Sequence, residues 1–298
     1  GLHVFENLLA FDAKFQIVPQ LAERWEVSAD GRVYTFTLRN GVKFHNGREM
    51  TAEDVRVSVE RFRAVAPRRN ELDGLAKLEV VSPSVVRMTL NKPDASFLAA
   101  IANPICQLAI LPKEAVEGRP INKADIIGTG PYKFVEWIPD RWVRLARFAD
   151  YKPEGKAEAG GFGGARSAYA DEIRFVPVPE PGARVAGLQT GEYEFADFLP
   201  SASIPQLTGD RSLRIVRLGP QNYPTVYFNH TGKFKSLKLR QAVQAALNMD
   251  EIMQVANDGD GRVDPGLYFK EQVWHTTAGG KLYNQKNPGK ARDLLKKA

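Results

Sequence analysis

Few residues in this sequence have the types and spacing that metal or redox chemistry needs. The four histidines, His3, His45, His230 and His275, are far apart, and no pair has the spacing of a zinc-binding helix. Cys106 is the only cysteine, which excludes an intramolecular disulfide and metal sites built from several cysteines. It lies in an apolar stretch, so we expect a buried, unreactive thiol. The sequence predicts no metal site and no cofactor.

Two glycine-rich stretches have only part of the pattern of a ligand-binding loop. Residues 160–164, Gly-Gly-Phe-Gly-Gly, are not followed by the Gly-Lys-Ser/Thr of a phosphate-binding loop. Residues 257–261, Asn-Asp-Gly-Asp-Gly, resemble the start of a calcium loop, but the twelfth position counted from Asp258 is Phe269, where a glutamate is needed. We interpret the first as a surface loop and the second as a solvated turn.

No recognisable set of catalytic side chains is present. Carboxylate pairs such as Glu53-Asp54 and Asp171-Glu172 fall at predicted helix starts or loop edges, where the helix dipole or water favours them. The Gly-x-Ser-x-Gly motif of a serine nucleophile does not occur. We therefore predict that the protein is not an enzyme. Because catalytic residues can be scattered along a chain, an enzyme with its site in a cleft stays open as an alternative.

The composition is that of a folded, mildly basic protein. Its 298 residues are 43% hydrophobic and carry a net charge of +6, and this length suggests two domains of about 150 residues each. The positive charge is spread out and is not interleaved with aromatic residues, so we expect no nucleic-acid partner. The most apolar stretch, residues 97–112, is interrupted by Asn103, Pro104 and Gln107 and is shorter than the ~20 residues of a membrane span.

The first half of the chain has strand patterns around one helix. Residues 33–39 alternate between apolar and polar positions, which predicts a half-buried strand. Asn40-Gly41 predicts a hairpin to a short strand at residues 42–45. Thr51, with Asp54 three residues later, approximates a capping box and predicts the start of a helix. Further hairpins are predicted over residues 78–90 and 132–148.

Later segments alternate between strands and helices, which indicates a mixed α/β class. We predict a buried helix over residues 94–102 and a strand over residues 105–111. Helices are predicted from Pro181 to Thr190 and over residues 237–247. Shorter strand patterns occupy residues 173–178, 193–198, 213–218 and 225–229.

Both ends read as internal sequence. Residues 2–9 are largely apolar, whereas native termini are usually polar and frayed. A helix pattern that begins at Asn287-Pro288 continues to Ala298 without a capping residue. We expect this sequence to be part of a longer protein, with a frayed native C-terminus as the alternative.

The order of several motifs resembles the family 5 extracellular solute-binding proteins, the oligopeptide-, dipeptide- and nickel-binding receptors of ABC importers. Each motif is moderately specific, whereas their order and spacing together are highly specific, and they cover nearly the whole chain. The motifs are Leu-Ala-Glu-Arg-Trp-Glu-Val-Ser at 21–28, Asp-Gly at 30–31, Tyr-Thr-Phe-Thr-Leu-Arg at 34–39, Val-Lys-Phe-His-Asn-Gly at 42–47, Thr-Ala-Glu-Asp-Val at 51–55, Gly-Thr-Gly-Pro-Tyr at 128–132, Gln-Thr-Gly-Glu-Tyr at 189–193, Lys-Leu-Arg-Gln-Ala-Val at 238–243 and the helix at 287–295.

The resemblance implies an α/β fold, a truncated lobe of a periplasmic-binding-protein-like structure of type II, cluster C. Residues 1–8 and 113–228 would form the α/β core of the first lobe, and residues 9–112 an inserted β-rich subdomain. Residues 229–298 would begin the second lobe after a hinge near Phe228-Asn229, and most of that lobe would lie outside this sequence.

The resemblance also implies a function without catalysis. A monomeric solute-binding component of an ABC importer would capture a peptide or peptide-like solute in the cleft between its lobes and deliver it to the membrane permease. Its location would be periplasmic, or extracellular and membrane-anchored in a Gram-positive source. A nickel complex, an opine or a sugar-like ligand is the alternative solute, and an assembly or adhesion role of the same fold also stays open.

By position along the family pattern, five residues are expected to contact the solute: Asn103, Gln107, Asn222, Tyr223 and Thr225. Amide side chains donate and accept hydrogen bonds, and tyrosine adds a ring with a polar tip. Ordinary packing or loop surface is the alternative interpretation of each. Since half of the cleft would be absent, we expect the 298-residue chain alone to bind ligand weakly or not at all.

Overall fold

The structure is a computed structural model that describes residues 1–117, 120, 125–155, 160–217, 226–256, 258–266, 268–271 and 275–298. Its contacts divide the chain into two compact units, Gly1–Pro177 and Val178–Ala298. The lobe and subdomain boundaries expected from the resemblance stay predictions. No helix among the described residues is long and apolar enough to cross a membrane.

The described part of the first unit contains strands and two helices, and that of the second contains helices. The strands are β1 Leu9–Phe11, β2 Ile17–Pro19, β3 Ala22–Val27, β4 Val33–Leu38, β5 Leu75–Ser82, β6 Val85–Leu90, β7 Tyr132–Ile138, β8 Trp142–Arg147 and β9 Glu172–Phe175. The helices are α1 Ala52–Val65, α2 Phe97–Ile101, α3 Pro181–Thr190, α4 Ile204–Thr208, α5 Leu237–Ala246, α6 Met249–Ala256 and α7 Pro288–Leu295.

The largest sheet has the order β3-β4-β6-β5 and is antiparallel throughout. In β4 the side chains of Tyr34, Phe36 and Leu38 are buried and those between them are half-buried, which confirms the alternation predicted for residues 33–39. The predicted hairpin over residues 78–90 is also confirmed, as β5 and β6. Phe36 is fully buried, so this face of the sheet forms the main core.

The hairpin predicted at Asn40-Gly41 is wrong. Gly41 does adopt a positive φ of 68°, as a tight turn requires. However, β4 already pairs with β3 on one edge and β6 on the other, so no edge is left for residues 42–45. That segment instead turns back on itself, and Lys43 bridges to Glu49.

Helix α1 covers the buried face of this sheet. The predicted capping box is present: the Asp54 carboxylate accepts hydrogen bonds from the Thr51 N–H at 2.8 Å and the Thr51 hydroxyl at 2.9 Å. The stripe of Val55, Val59 and Phe62 is buried and belongs to the main core. Helical spacing therefore predicted the correct packing face.

The second sheet, β7-β8-β9, confirms the predicted hairpin over residues 132–148. Its core is small and consists of Val4, Tyr132 and Leu145, with half-buried neighbours. The N-terminal segment thus packs onto this sheet through Val4, and the following residues, Leu8 and Leu9, join the main core. Residues 4–9 therefore connect the two cores of the first unit.

Other predictions from periodicity were less accurate. The buried helix over residues 94–102 is shorter, Phe97–Ile101. The strand over residues 105–111 belongs to no sheet, and residues 193–198 and 213–217 contain no strand. Residues 160–164 are not a free surface loop, because the Phe162 N–H donates to the Phe11 carbonyl at 2.8 Å and Gly163 and Gly164 are buried.

The helices of the second unit agree better with the sequence. Helix α3 spans Pro181–Thr190 and ends at Gly191 with φ of 74°, as predicted. The predicted α5 ends one residue early, at Ala246. Helices α5 and α7 lie together, with Ala242, Ala245 and Ala291 buried. These small side chains allow the two helix backbones to approach closely.

Candidate functional site

Two of the five predicted contact residues, Asn103 and Gln107, lie in the described part of the chain. Asn222, Tyr223 and Thr225 lie outside the described residues. Asn103 and Gln107 belong to a segment that runs from the end of α2, and we call residues 103–109 the wall segment. Ile101 and Ala102 before it are buried, as is Leu108 within it. The wall segment is therefore anchored in the core on both sides of its exposed turn.

Asn103 organises the turn of the wall segment. Its Oδ1 accepts hydrogen bonds from the Ile105 N–H at 2.9 Å and the Cys106 N–H at 3.4 Å. An Asn oxygen that binds backbone two residues ahead is typical of a turn. Its Nδ2 donates no hydrogen bond among the described residues, so the amide N–H₂ is the part of this side chain left for another partner.

The Gln107 side chain makes one weak contact in the described part of the chain. Its Nε2 points toward the Phe5 carbonyl at 3.5 Å, a long hydrogen bond. Below the turn, the Nδ2 of buried Asn7 donates to the Asn103 carbonyl at 3.2 Å. The Asn7 Oδ1 is buried and has no partner among the described residues. An unsatisfied buried oxygen costs about 1–3 kcal/mol, and such costs are concentrated at functional sites.

The backbone of the wall segment beyond the turn is unpaired. None of the hydrogen bonds in the described part of the chain uses the N–H groups of Gln107, Leu108 and Ala109 or their carbonyls. Backbone polar groups in a partly buried segment need partners. Leu108 is buried, whereas Gln107 and Ala109 are half-buried, so an extended ligand with its own amides can pair with the groups of these two residues as an added strand would.

The far end of the wall segment is held by α1 and the N-terminal segment. The Ile110 N–H donates to the Glu6 carbonyl at 3.1 Å, and the Leu111 N–H to the Ser58 hydroxyl at 2.9 Å. The Lys113 N–H donates to Asp54 Oδ1 at 2.8 Å. Asp54 and Ser58 lie on α1 and are buried, so the helix fixes where the wall segment ends.

Glu6 is the centre of a buried polar cluster behind the wall segment. Its side chain is only 2% exposed. One carboxylate oxygen accepts from the Tyr151 hydroxyl at 3.0 Å, and the other from the Thr129 hydroxyl at 2.9 Å. The Arg166 guanidinium lies 3.6 Å away. Burial raises the pKa of Glu6, against the opposing effects of Arg166 and the two hydroxyl donors. Burial, with the nearby Glu6 charge, also raises the pKa of Tyr151.

The raised pKa of Glu6 predicts a pH effect on stability. The folded state keeps the proton to higher pH than the unfolded state, whose pKa is near 4.5, so stability falls as pH rises from that value to the raised folded pKa. Glu6→Gln removes this dependence. As pH rises through that window, the free energy of unfolding of Glu6→Gln should therefore increase relative to that of the wild type, by at most about 1.4 kcal/mol per pH unit. Urea denaturation between pH 4 and 8 measures it, with Glu26→Gln, an exposed glutamate, as the control. Parallel pH profiles of Glu6→Gln and wild type would contradict the prediction.

The supporting residues Glu6 and Asn7 were not predicted from the sequence. The one available signal was their position, since two strongly polar residues interrupt the apolar run from Val4 to Leu9. A buried polar pair in such a run must find partners from elsewhere in the chain. The sequence did not indicate which partners these are, because Thr129, Tyr151 and Asn103 are distant in sequence.

Other surfaces offer less chemistry. Among the described residues, no three His, Cys, Asp or Glu side chains are grouped as metal ligands. A hollow of about 330 Å³ beside α6 is lined by Glu251, Ile252, Val255 and Ala256. Another of about 320 Å³ is lined by residues of α1 and the β5–β6 turn, among them Glu53 and Ser82. Neither brings together an acid and a base, so the wall segment is the stronger candidate.

Known proteins resemble this chain over nearly its whole length. The model of the family "Bacterial extracellular solute-binding proteins, family 5 Middle" matches residues 16–298. The chain is 31% identical over 309 residues to the glutathione-binding protein GsiB of Salmonella choleraesuis strain SC-B67. That alignment covers 99% of this chain but 55% of the relative, so the chain spans about half the length of the curated relatives it matches.

Solved structures agree with the sequence comparison. NikZ from Campylobacter jejuni in complex with Ni(L-His) matches with a TM-score of 0.83 and 26% identity, over 99% of this chain and 57% of NikZ. The oligopeptide-binding protein AppA from Bacillus subtilis in complex with a nonapeptide matches with a TM-score of 0.81 and 26% identity, over 99% of this chain and 58% of AppA. The predicted fold class, a lobe of a type II periplasmic-binding-protein-like structure with α/β content, is confirmed.

Proposed function

The chain belongs to family 5 of the bacterial extracellular solute-binding proteins, and on that premise we propose that it serves as the solute-binding component of an ABC importer. Its solute is a peptide or a peptide-like molecule. The chain contributes one wall of the binding site, the wall segment, and the bound solute is passed to a membrane permease.

The observation that carries the choice of a peptide is the unpaired backbone of the wall segment. Gln107 and Ala109, which are half-buried and two residues apart, have N–H and carbonyl groups that form no hydrogen bond in the described part of the chain. A peptide offers the complementary groups at the same spacing, whatever its side chains. Recognition of this kind binds the main chain and leaves side-chain identity weakly constrained, which supports a broad range of peptides.

The relatives support the same solute class. GsiB is a glutathione-binding protein, and the structure of AppA is in complex with a nonapeptide. Both ligands contain peptide amide groups. NikZ, in contrast, is in complex with Ni(L-His), which keeps a metal complex as the second candidate solute.

Calorimetric titration with peptides tests the proposal. On the protein as its gene encodes it, unmodified tripeptides should bind, and analogues with N-methylated peptide bonds should bind at least tenfold more weakly, because each lost N–H donor leaves an acceptor unpaired. The 298-residue chain alone should bind weakly or not at all. Binding of Ni(L-His) with no binding of any peptide would overturn the peptide assignment, and equal affinity for N-methylated and unmodified peptides would overturn main-chain recognition.

The remaining features of the proposed role follow from the family. The matched relatives are solute-binding proteins, and we infer that this chain is likewise not an enzyme and needs no cofactor. We propose that it acts as a monomer with the permease subunits as its protein partner and without nucleic acid. Its proposed location is the periplasm, or the outer face of the membrane by an anchor in a Gram-positive source.

A further inference from the structure

Ile105 is the most prominent side chain of the wall segment. It is 88% exposed, while the apolar residues on either side of the turn, Ile101 and Leu108, are buried. A single exposed isoleucine on a mobile loop needs no explanation. This one is different because its position is fixed by specific hydrogen bonds.

The turn that carries Ile105 is held by a hydrogen bond within the turn and by another from the N-terminal segment. Its own N–H donates to Asn103 Oδ1 at 2.9 Å, and Pro104 before it restricts the backbone. The Asn103 carbonyl is held by buried Asn7 at 3.2 Å. Together with the buried flanks, these contacts fix the backbone at Ile105, and its side chain faces outward.

Ile105 also lies close in sequence to the unpaired backbone groups of half-buried Gln107 and Ala109. A ligand whose main chain pairs with those groups places a side chain close to the turn, because side chains project from an extended strand at regular intervals. Burying the Ile105 side chain against an apolar group removes nonpolar surface of both from water. The amides of the wall segment would thus fix the ligand backbone, and Ile105 would select one of its side chains.

We propose that Ile105 is a specificity-determining residue that favours a peptide with an apolar side chain at the position facing the turn. The inference rests on the proposed function and deepens it, since it names the kind of peptide bound. It also reassigns the role of Asn103, whose oxygen positions Ile105. The amide oxygen of Asn103 is therefore not the group that contacts the solute.

The test compares Ile105→Ser with Ile105→Leu on the protein as its gene encodes it. The probes are triglycine and the three tripeptides with one leucine, Leu-Gly-Gly, Gly-Leu-Gly and Gly-Gly-Leu. In the wild type, at least one leucine peptide should bind more tightly than triglycine. In Ile105→Ser that peptide should lose roughly tenfold in affinity, while triglycine changes less than about twofold. Ile105→Leu should retain the preference, and the urea midpoints of both variants should match the wild type because the side chain is exposed.

The outcomes distinguish a failure of the Ile105 inference from a failure of the proposed peptide-binding function. If tripeptides bind but Ile105→Ser lowers the affinity for all of them equally, or for none, Ile105 does not determine specificity while the peptide function stands. If no tripeptide binds the wild type at all, the proposed function and this inference both fail.

Discussion

Gly128→Ala is expected to prevent the chain from folding to its native state or to destabilise it by more than about 4 kcal/mol, at the upper end of single-substitution effects. A Cβ at Gly128 would lie 2.0 Å from the Val4 carbonyl oxygen and 2.8 Å from Phe5 Cδ1. The first contact is with backbone, which cannot move aside as a flexible side chain can. The strain therefore falls on the N-terminal segment, which connects the two cores of the first unit.

Three hydrogen bonds near Gly128 would be lost with the same displacement. The Gly128 N–H donates to His45 Nδ1 at 3.2 Å and its carbonyl accepts from the His45 N–H at 2.9 Å. Because Nδ1 accepts, the His45 ring carries its proton on Nε2 and donates to the Gly130 carbonyl at 2.9 Å. Burial lowers the pKa of His45, and this neutral form is the one the contacts require.

Urea denaturation followed by far-UV circular dichroism measures the Gly128 effect. Gly74→Ala is the matched control, because a Cβ there meets nothing within 4 Å and surface changes of this kind stay within about 0.5 kcal/mol. Gly130→Ala, where the Cβ would lie 2.5 Å from the His3 carbonyl oxygen, should also be strongly destabilised. A Gly128→Ala protein as stable as the Gly74→Ala control would show that the backbone does not approach as closely as described.

Asp54→Ala is expected to destabilise the first unit by about 3–5 kcal/mol, because it leaves two backbone donors unsatisfied, at about 1–3 kcal/mol each, and removes the cap of α1. The Asp54 carboxylate is fully buried and accepts from the Arg48 guanidinium through both oxygens. It also caps α1 through Thr51 and holds the Lys113 N–H. Alanine leaves two backbone donors without an acceptor, and the Arg48 guanidinium keeps only Glu114 and the Glu49 carbonyl as partners.

The Asp54 prediction has a local readout as well as a global one. Because Lys113 follows the wall segment, its amide and that of Leu111 should exchange with solvent faster in Asp54→Ala than in wild type. Asp54→Asn keeps an acceptor oxygen and should lose less stability than Asp54→Ala. Equal losses for Asn and Ala would show that the charge alone matters, and a loss below about 1 kcal/mol for Ala would contradict the network described here.

The candidate site was only partly predictable. The resemblance pointed to Asn103 and Gln107 from their place in the motif order; both lie in the wall segment, and their contact with a solute stays a prediction. Which atoms of that segment are available to a solute was not predictable, because the Asn103 oxygen is occupied within its own turn. The supports Glu6 and Asn7 were also missed, since each binds residues on distant parts of the chain.

The sequence by itself determined the elements whose signals are local. The alternation in β4, the Thr51–Asp54 cap of α1 and the Pro181–Gly191 limits of α3 depend on neighbours within a few residues, so pattern and turn chemistry were sufficient. The tertiary structure alone decided which strand pairs with β4, where the polar groups of residues 6 and 7 find partners, and why Gly128 has no room for a side chain. Each of these depends on segments that are distant in sequence: the strands that pair with β4, the residues that contact Glu6 and Asn7, and the N-terminal backbone beside Gly128. These segments come together only when the chain packs.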